Sequence, residues 1–403
     1  MDYSTVRESN LALALTTIRT HAPISRARLA RLTGINKVTV SSLMQELEAK
    51  GLAVSSGRVA RSGRGRPAMP YTLNGHAGVA IGLHIDPHYA HVTLSNFLGE
   101  SEARWGQPLR MTRGPRRLLR PLRTLVQEAL DRARGMRRRV LGLGTSLPGV
   151  VDVVSGTLLY SPHLGLEDVP VRSMLEELTG GPVYIENEAK AAAIGEWLLG
   201  AGRGVSHFLY LSGGWGVGGA AVIGGQVFRG IEGLATIAGH MVVDPRGARC
   251  QCGTRGCWET LVSLSAIARR VGLSSLLRAR DASTPIVEET VLNAIVQRAQ
   301  AGHEETRVAL SQVGRDLGLG VGNLIFAFNP SRVILGRAYS LLAPYVLPGI
   351  SKTLGRGDFA RFRRRVTIVP STLGYEAPLV GAAALVIREV LRNPRRSHMG
   401  VRP

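Results

Sequence analysis

The sequence predicts an α/β protein with a small winged helix-turn-helix in front. Three features predict it. Beyond about residue 79, apolar stretches of strand length alternate with longer helical patterns. Ahead of them, two short helical patterns flank the tight turn Thr33-Gly34-Ile35. Between the two parts runs SSGRVARSGRGRPAMPYTLN, whose Gly, Arg and Pro mark a change of texture.

The helical head reads in order. Leu11 to Arg19 has the spacing of an amphipathic helix. Ser25 can cap a helix over Arg26 to Leu32, and Asn36 a second over Lys37 to Ala49, ended by Gly51. Val40, Leu43, Met44 and Leu47 share one face of that second helix, and Lys37, Ser41, Ser42 and Gln45 the other. Ala30 and Gly34 are small enough for two helices to meet closely at a turn. A generic helical hairpin has the same pattern. Leu52 to Val54 then reads as a strand entering a β-hairpin, with Arg58, Arg61, Arg64 and Arg66 at its tip. Such a wing could lay Arg64 and Arg66 along a narrow minor groove, although a solvated Arg-rich linker has this composition too. Taken together, helix-turn-helix and basic wing point to double-stranded DNA. The candidate DNA contacts are Arg26 for phosphate, Asn36, Lys37, Thr39, Ser41, Ser42 and Gln45 on the second helix, and Arg64 and Arg66 on the wing.

The body follows. GVAIGLHIDPHYAHVTLSNFLGE reads as strands with a turn at Asn96 to Gly99. The Arg-rich stretch from Arg104 to Arg139 contains a surface helix over Leu118 to Met136. VLGLGTSLPGVVDVVSGTLLYSP returns to strands, and EELTGGPVYIENEAKAAAIGEWLLGAG is a strand followed by a helix. HFLYLSGGWGVGGAAVIGGQVFRG is a Gly-rich hairpin, residues 261 to 325 are mostly helical, and RVILGR and RVTIVPST are buried strands. The expected organisation is a DNA-binding domain over 1–75, a larger α/β domain over 76–390 and a disordered tail over 391–403.

Composition narrows the class. With 403 residues, 44% hydrophobic and 20% charged, the chain can bury a large core, and no apolar run reaches the length of a membrane span. The opening MDYSTVRESN has no apolar core of a secretory signal, so the expected compartment is the cytoplasm. The net charge of +21 suits a polyanionic partner, but 46 of the 50 basic residues are Arg, which also fits a genome-wide coding bias. Where the charge sits therefore matters more than its sum.

All three cysteines, Cys250, Cys252 and Cys257, fall within eight positions, with His240 just upstream. A reducing compartment disfavours disulfides, and Cys-x-Cys is too short for an easy bridge. Three thiolates and an imidazole interleaved with Gly247, Gly253 and Gly256 suit a tetrahedral structural zinc with no open position; three ordinary buried thiols are the alternative.

Gly239-His240 followed by Cys-x-Cys-Gly-x-x-Gly-Cys-x-Glu resembles the zinc signature of the ROK family of repressors and sugar kinases. LPGVVD, ENEAKAAAIGE, GVGGAAVIGGQVFRG and NPSRVILG match that family in place, and the resemblance runs from residue 10 to 390. It implies an actin-like (ribonuclease H-like) pair of lobes around a cleft. The branch with a winged helix in front, the xylose and N-acetylglucosamine repressor type, is the nearest analogue. There a sugar or sugar phosphate binds the cleft and changes operator affinity, and the chains form homodimers or homotetramers.

The same resemblance implies four departures from the family's kinases. The first phosphate loop is His84-Ile85-Asp86-Pro87-His88, where Pro87 lacks an N–H. The second is Gly214-Trp215-Gly216-Val217-Gly218, with an indole in place of a small hydroxyl. The adenosine-side Gly-Gly is Gly336-Arg337, and the catalytic aspartate position holds Glu188, one methylene longer. No catalytic residue is therefore expected. Asn187, Glu188, His240 and Glu259 match the family's sugar contacts, but Ile237 and His163 replace its Glu and Asn. The chain reads as a DNA-binding regulator, a repressor, whose degenerate kinase domain senses a sugar or related small metabolite, with a polyol, a non-sugar metabolite or no effector at all left open by the replacements at Ile237 and His163. A kinase with a DNA-binding head and a regulator with a silent cleft governed by a protein partner remain the alternatives.

Overall fold

The computed structural model describes residues 3–56, 69–109, 115–277, 288–357, 360–361 and 365–395. The wing arginines Arg58, Arg61, Arg64 and Arg66, and the last eight residues of the expected tail, lie outside them.

The head comprises α1 (Tyr3–His21), β1 (Ile24–Ser25), α2 (Arg26–Thr33), α3 (Lys37–Ala49), β2 (Ala53–Ser55) and β3 (Pro70–Leu73). Helix α1 is longer than its apolar spacing suggests. Leu11, Ala14, Leu15 and Ile18 are fully buried, while the extra N-terminal turns are polar and tied down by Arg7, which pairs with Glu46 of α3 at 2.7 Å. Ser25 caps α2 by accepting from Arg28 N (3.3 Å), and Asn36 caps α3 by accepting from Thr39 N (2.8 Å). Gly34 ends α2 at φ +72°, a left-handed conformation that costs glycine little. The strands form a three-stranded sheet in the order β1-β3-β2, with β2 and β3 antiparallel. Three helices and this sheet are the parts of a winged helix-turn-helix.

The first lobe contains β4 (Val79–Ile85), β5 (Tyr89–Asn96), β6 (Ser101–Pro108), α4 (Pro115–Gly135), β7 (Val140–Leu147), β8 (Val150–Asp152), β9 (Thr157–Ser161), β10 (Leu166–Val169), α5 (Val171–Thr179), β11 (Val183–Asn187) and α6 (Glu188–Leu199). The second contains β12 (Phe208–Gly213), β13 (Val217–Ile223), β14 (Gln226–Phe228), α7 (Glu259–Val262), α8 (Leu264–Arg270), α9 (Glu288–Gln300), α10 (Glu304–Phe328), β15 (Arg332–Arg337), α11 (Ala338–Leu354) and β16 (Thr367–Pro370). The last helix, α12 (Ala377–Arg392), returns to the first lobe.

The two main sheets share one topology. The first is ordered β6-β5-β4-β7-β11 and the second β14-β13-β12-β15-β16. Each is an antiparallel meander of three strands extended by two parallel ones. Parallel strands need helical crossovers, and these supply the layers on the sheet faces.

Packing is very close where α12 crosses the first sheet and α6. A Cβ on Gly144 of β7 would lie 1.8 Å from the Ala382 carbonyl oxygen, and one on Gly381 would lie 2.2 Å from that of Ala191. Only glycine permits these approaches. The small residues of EAKAAAIGE and VGAAALV thus let two helices nearly touch. One apolar core embraces α6, α12 and the head: Leu15 and Ile18 belong to it together with Ile194, Leu198, Val390 and Leu391. Of the tail expected over 391–403, the described residues 391–395 are not disordered. Leu391 is buried, Arg392 closes α12, and Arg395 lies 3.6 Å from Glu46.

Candidate functional site

A cleft of about 400 Å³ opens between the lobes, and Asp86, Asn187, Glu188, Trp215, Glu259 and Arg337 are among the residues that line it. Its first-lobe wall starts with Glu186, a carboxylate almost completely buried at the end of β11. Arg229 donates to Glu186 Oε2 from Nε (2.8 Å) and from a terminal nitrogen (2.6 Å). The Asn187 amide donates to the other oxygen of Glu186 (3.0 Å). Asn187 then caps α6, accepting from Ala189 N (2.9 Å) and Lys190 N (3.2 Å), while its Nδ2 donates to the Gly149 carbonyl (2.9 Å). This chain of bonds places Glu188 at the first position of α6, facing the cleft.

Arg337 closes the floor from the second lobe. It is 5% exposed and stands at φ +50°, a left-handed conformation that is strained for a residue with a Cβ. One terminal nitrogen donates to Glu188 Oε2 (3.0 Å); the other donates to Glu288 Oε1 and to the Tyr375 hydroxyl, both at 3.0 Å. Asp86 Oδ2 lies 4.0 Å away, and the guanidinium sits over the Tyr375 ring, 4.9 Å from its centre. Burial raises the pKa of both Glu288 and Glu188 against the downward pull of Arg337. Burial also holds His84 near a pKa of about 3, hence neutral, with Nδ1 3.0 Å from Ser146 Oγ.

At the other end of the cleft, His240, Cys250, Cys252 and Cys257 converge, their potential ligand atoms all within 4.8 Å of one another. Cys252 Sγ lies 3.6 Å from Cys257 Sγ, and Cys250 Sγ 3.6 Å from His240 Nδ1. The four can hold a metal ion. Glu259 stands beside them, with Oε1 3.1 Å from Cys250 Sγ. The His240–cysteine cluster and the cleft therefore share a wall.

A family model covering residues 92–389 matches this chain, and its description is ROK. The chain belongs to the ROK family. The xylose repressor of Caldicellulosiruptor bescii is 33% identical over 397 residues, covering 98% of this chain and 99% of that one. A solved ROK transcriptional regulator, described as a homologue of the E. coli MLC protein, superposes with a TM-score of 0.81 at 24% identity, covering 96% of this chain and 97% of its own. A ROK glucokinase from Streptomyces griseus, solved with glucose and AMPPNP, superposes at 0.63 with 27% identity over 76% of this chain and 99% of its own. That kinase aligns with only part of the chain, whereas the regulator spans nearly all of it.

The ROK cleft residues named from sequence, Asn187, Glu188, His240 and Glu259, all line one cavity. The head residues fare differently. Lys37 and Gln45 are exposed on α3, with Ser41 half-buried between them and its hydroxyl donating to the Lys37 carbonyl (3.0 Å). Ser42 points toward α1 and accepts from Arg7 (3.1 Å), and Asn36 and Thr39 are joined in the helix cap. Arg26 is engaged inside the head: it donates to the Tyr71 hydroxyl (2.5 Å) and stacks over that ring, with Glu48 at 3.4 Å. Three residues escaped the sequence reading. Val38 is 81% exposed on the outer face of α3, where its lone apolar character was the available signal. Glu288 and Tyr375 meet Arg337 from distant parts of the chain and carry no local signature.

Replacing Arg337 by Met leaves Glu288 buried without its cation. A buried carboxylate whose folded pKa exceeds its unfolded value keeps its proton while the unfolded chain ionises, so stability falls as pH rises above the ordinary carboxylate range. Urea denaturation should show a loss of about 3–5 kcal/mol at pH 8 that shrinks markedly at pH 5. An equal loss at both pH values would show that Glu288 is not the group left stranded.

Proposed function

We propose that this protein is a DNA-binding transcriptional repressor whose degenerate sugar-kinase domain senses a sugar in the cleft. The observation that carries the reading is the outer face of α3. It presents Lys37, Val38, Ser41 and Gln45 away from the apolar face formed by Val40, Leu43, Met44 and Leu47. Long polar side chains on such a helix reach base edges in a major groove, and Val38 suits a thymine methyl. Arg28 and Arg31, both exposed on α2, take the phosphate role that the sequence gave Arg26. The relatives named repressors support the same reading. Two heads in a homodimer would read the half-sites of a palindrome. Among the described residues no helix is long and apolar enough to cross a membrane, and we place the protein in the cytoplasm.

The cleft opposes kinase activity. Arg337 and Trp215 occupy the nucleotide side, where a kinase keeps glycines and small residues, and positioning is most of what phosphoryl transfer requires. The metal cluster fits zinc: a Zn–S bond of about 2.3 Å sets tetrahedral S···S edges near 3.8 Å, close to the Cys252–Cys257 separation. With His240, Cys250, Cys252 and Cys257 as ligands, zinc would supply a cross-link with no position open for chemistry, steadying Glu259.

Helix α6 supplies the coupling. Its N-terminus carries Glu188 in the cleft, and its C-terminus holds the head, since Arg19 of α1 donates to the Leu198 carbonyl (3.0 Å) and lies 5.5 Å from the centre of the Trp197 ring. Twelve residues make a rod of about 18 Å. A ligand that draws on Glu188 moves the rod, and with it the seat of the head. Only a difference in sugar affinity between the two head positions can convert this into a change in DNA binding.

Genomic fragments captured by the purified protein and sequenced will define the operator. On that operator, Lys37→Ala and Gln45→Ala should each weaken binding about 5- to 100-fold in gel-shift titrations; unchanged affinity in both would remove α3 from the groove. Wild-type protein should contain one zinc per chain by mass spectrometry, while Cys252→Ser should lose the metal and melt at a lower temperature. A metal-free wild type would end the zinc assignment. Arg19→Ala combined with Trp197→Ala should keep operator binding but blunt its response to the inducing sugar, and a full response would show that the signal takes another route.

A further inference from the structure

We propose that the cleft admits only neutral, unphosphorylated sugars, because Asp86 and Glu288 occupy, as built-in anions, the donors that a phosphate would need. This rests on the sugar-sensing reading and names the ligand class.

Four loop amides are committed within the chain, while Arg337 Nε stays buried without a partner among the described residues. In the second glycine loop, Trp215 N donates to Glu288 Oε2 (3.4 Å) and Gly214 N to the Gly216 carbonyl (3.0 Å). In the turn after β4, His88 N and Tyr89 N donate to Asp86 Oδ1 (2.9 and 3.2 Å). These are the two loops whose amides would form an anion-binding concavity, and both are closed by carboxylates of the chain itself. The cations are committed as well. Both terminal nitrogens of Arg337 serve Glu188, Glu288 and Tyr375, and Lys190 Nζ donates to the Gly233 carbonyl (2.9 Å).

The balance of charge points the same way. Asp86, Glu188, Glu259 and Glu288 face the cleft against Lys190 and Arg337. A phosphate carrying nearly two negative charges would enter an acidic surplus in which Arg337 is already shared among carboxylates. Burial pushes the Glu188 and Glu288 carboxyls up in pKa while Arg337 pulls them down, and neither protonation state supplies a positive charge. A neutral sugar meets no such penalty. Carboxylate oxygens of Glu188 and Glu259 accept its hydroxyls, and Trp215 offers an apolar surface to its ring.

The test uses the full-length protein in titration calorimetry. D-xylose, D-glucose and N-acetyl-D-glucosamine are titrated beside glucose 6-phosphate, N-acetylglucosamine 6-phosphate and pyrophosphate. At least one free sugar should bind, its phosphorylated form should bind at least 10-fold more weakly, and pyrophosphate should give no heat. Glu288→Gln, with Asp86→Asn as an independent second variant, should each remove a built-in negative charge and bind pyrophosphate at least 10-fold more tightly than wild type. A phosphorylated sugar that equals its parent, or pyrophosphate binding by wild type as tight as by both variants, would overturn the proposal. If no sugar of either kind bound, the sensing reading would fall, while the pyrophosphate titrations would still decide whether the built-in anions close the site.

Discussion

The close crossing of α6 and α12 is the constraint on which the remaining architecture depends. Gly195 and Gly381 let the two backbones approach until a Cβ on Gly381 would strike the Ala191 carbonyl. Another face of α12, carrying Leu379, Ala382 and Ala383, lies against Gly82 and Gly144 of the first sheet. Pocket, sheet and head are thus fastened to a single pair of helices. Protein interiors are close-packed and respond to a local push by shifting packed elements rather than by deforming smoothly. A pair this tight moves as one body, so the cleft and the N-terminal head cannot be repositioned independently.

Some of this was legible in the sequence. Helix α3 spans Lys37 to Ala49 as its cap and apolar spacing require, because both signals are local. The convergence of His240 with the three cysteines was legible too, since clustered thiols have few other uses. Helix α1 exceeded its expected length because its first turns are polar and are held by Arg7 on Glu46, a contact across 39 positions that no periodicity reports. The Arg337 network was invisible for the same reason. Glu288 lies 49 positions from Arg337, and at the start of a helix it reads merely as a complement to the helix dipole. The joining role of α6 also escaped: AAAIGE announces a buried helix without saying what waits at either end.

Arg337 shows how one buried side chain can lock the floor of a cleft. Its φ of +50° is a backbone suited to glycine, the residue that the resemblance places there. The strained conformation is retained, and the side chain it now carries bridges Glu188 at the end of one sheet and Glu288 on a helix of the opposite lobe. A buried ion pair of this kind adds little net stability when intact, yet removing one partner is costly. Its value lies in fixing one arrangement of the two lobes.

The tryptophans provide the molecule with optical reporters. Trp215 lines the cleft, Trp197 lies beneath Arg19 at the seam with the head, and Trp258 is sealed in the core of the second lobe with its indole N–H donating to the Asp316 carbonyl (2.8 Å). Occupancy of the cleft and movement of the head therefore fall on different indoles, about one rod-length of α6 apart. Intrinsic fluorescence can follow both events in unlabelled protein, with Trp258 and Trp105, the latter beneath Arg132, as background.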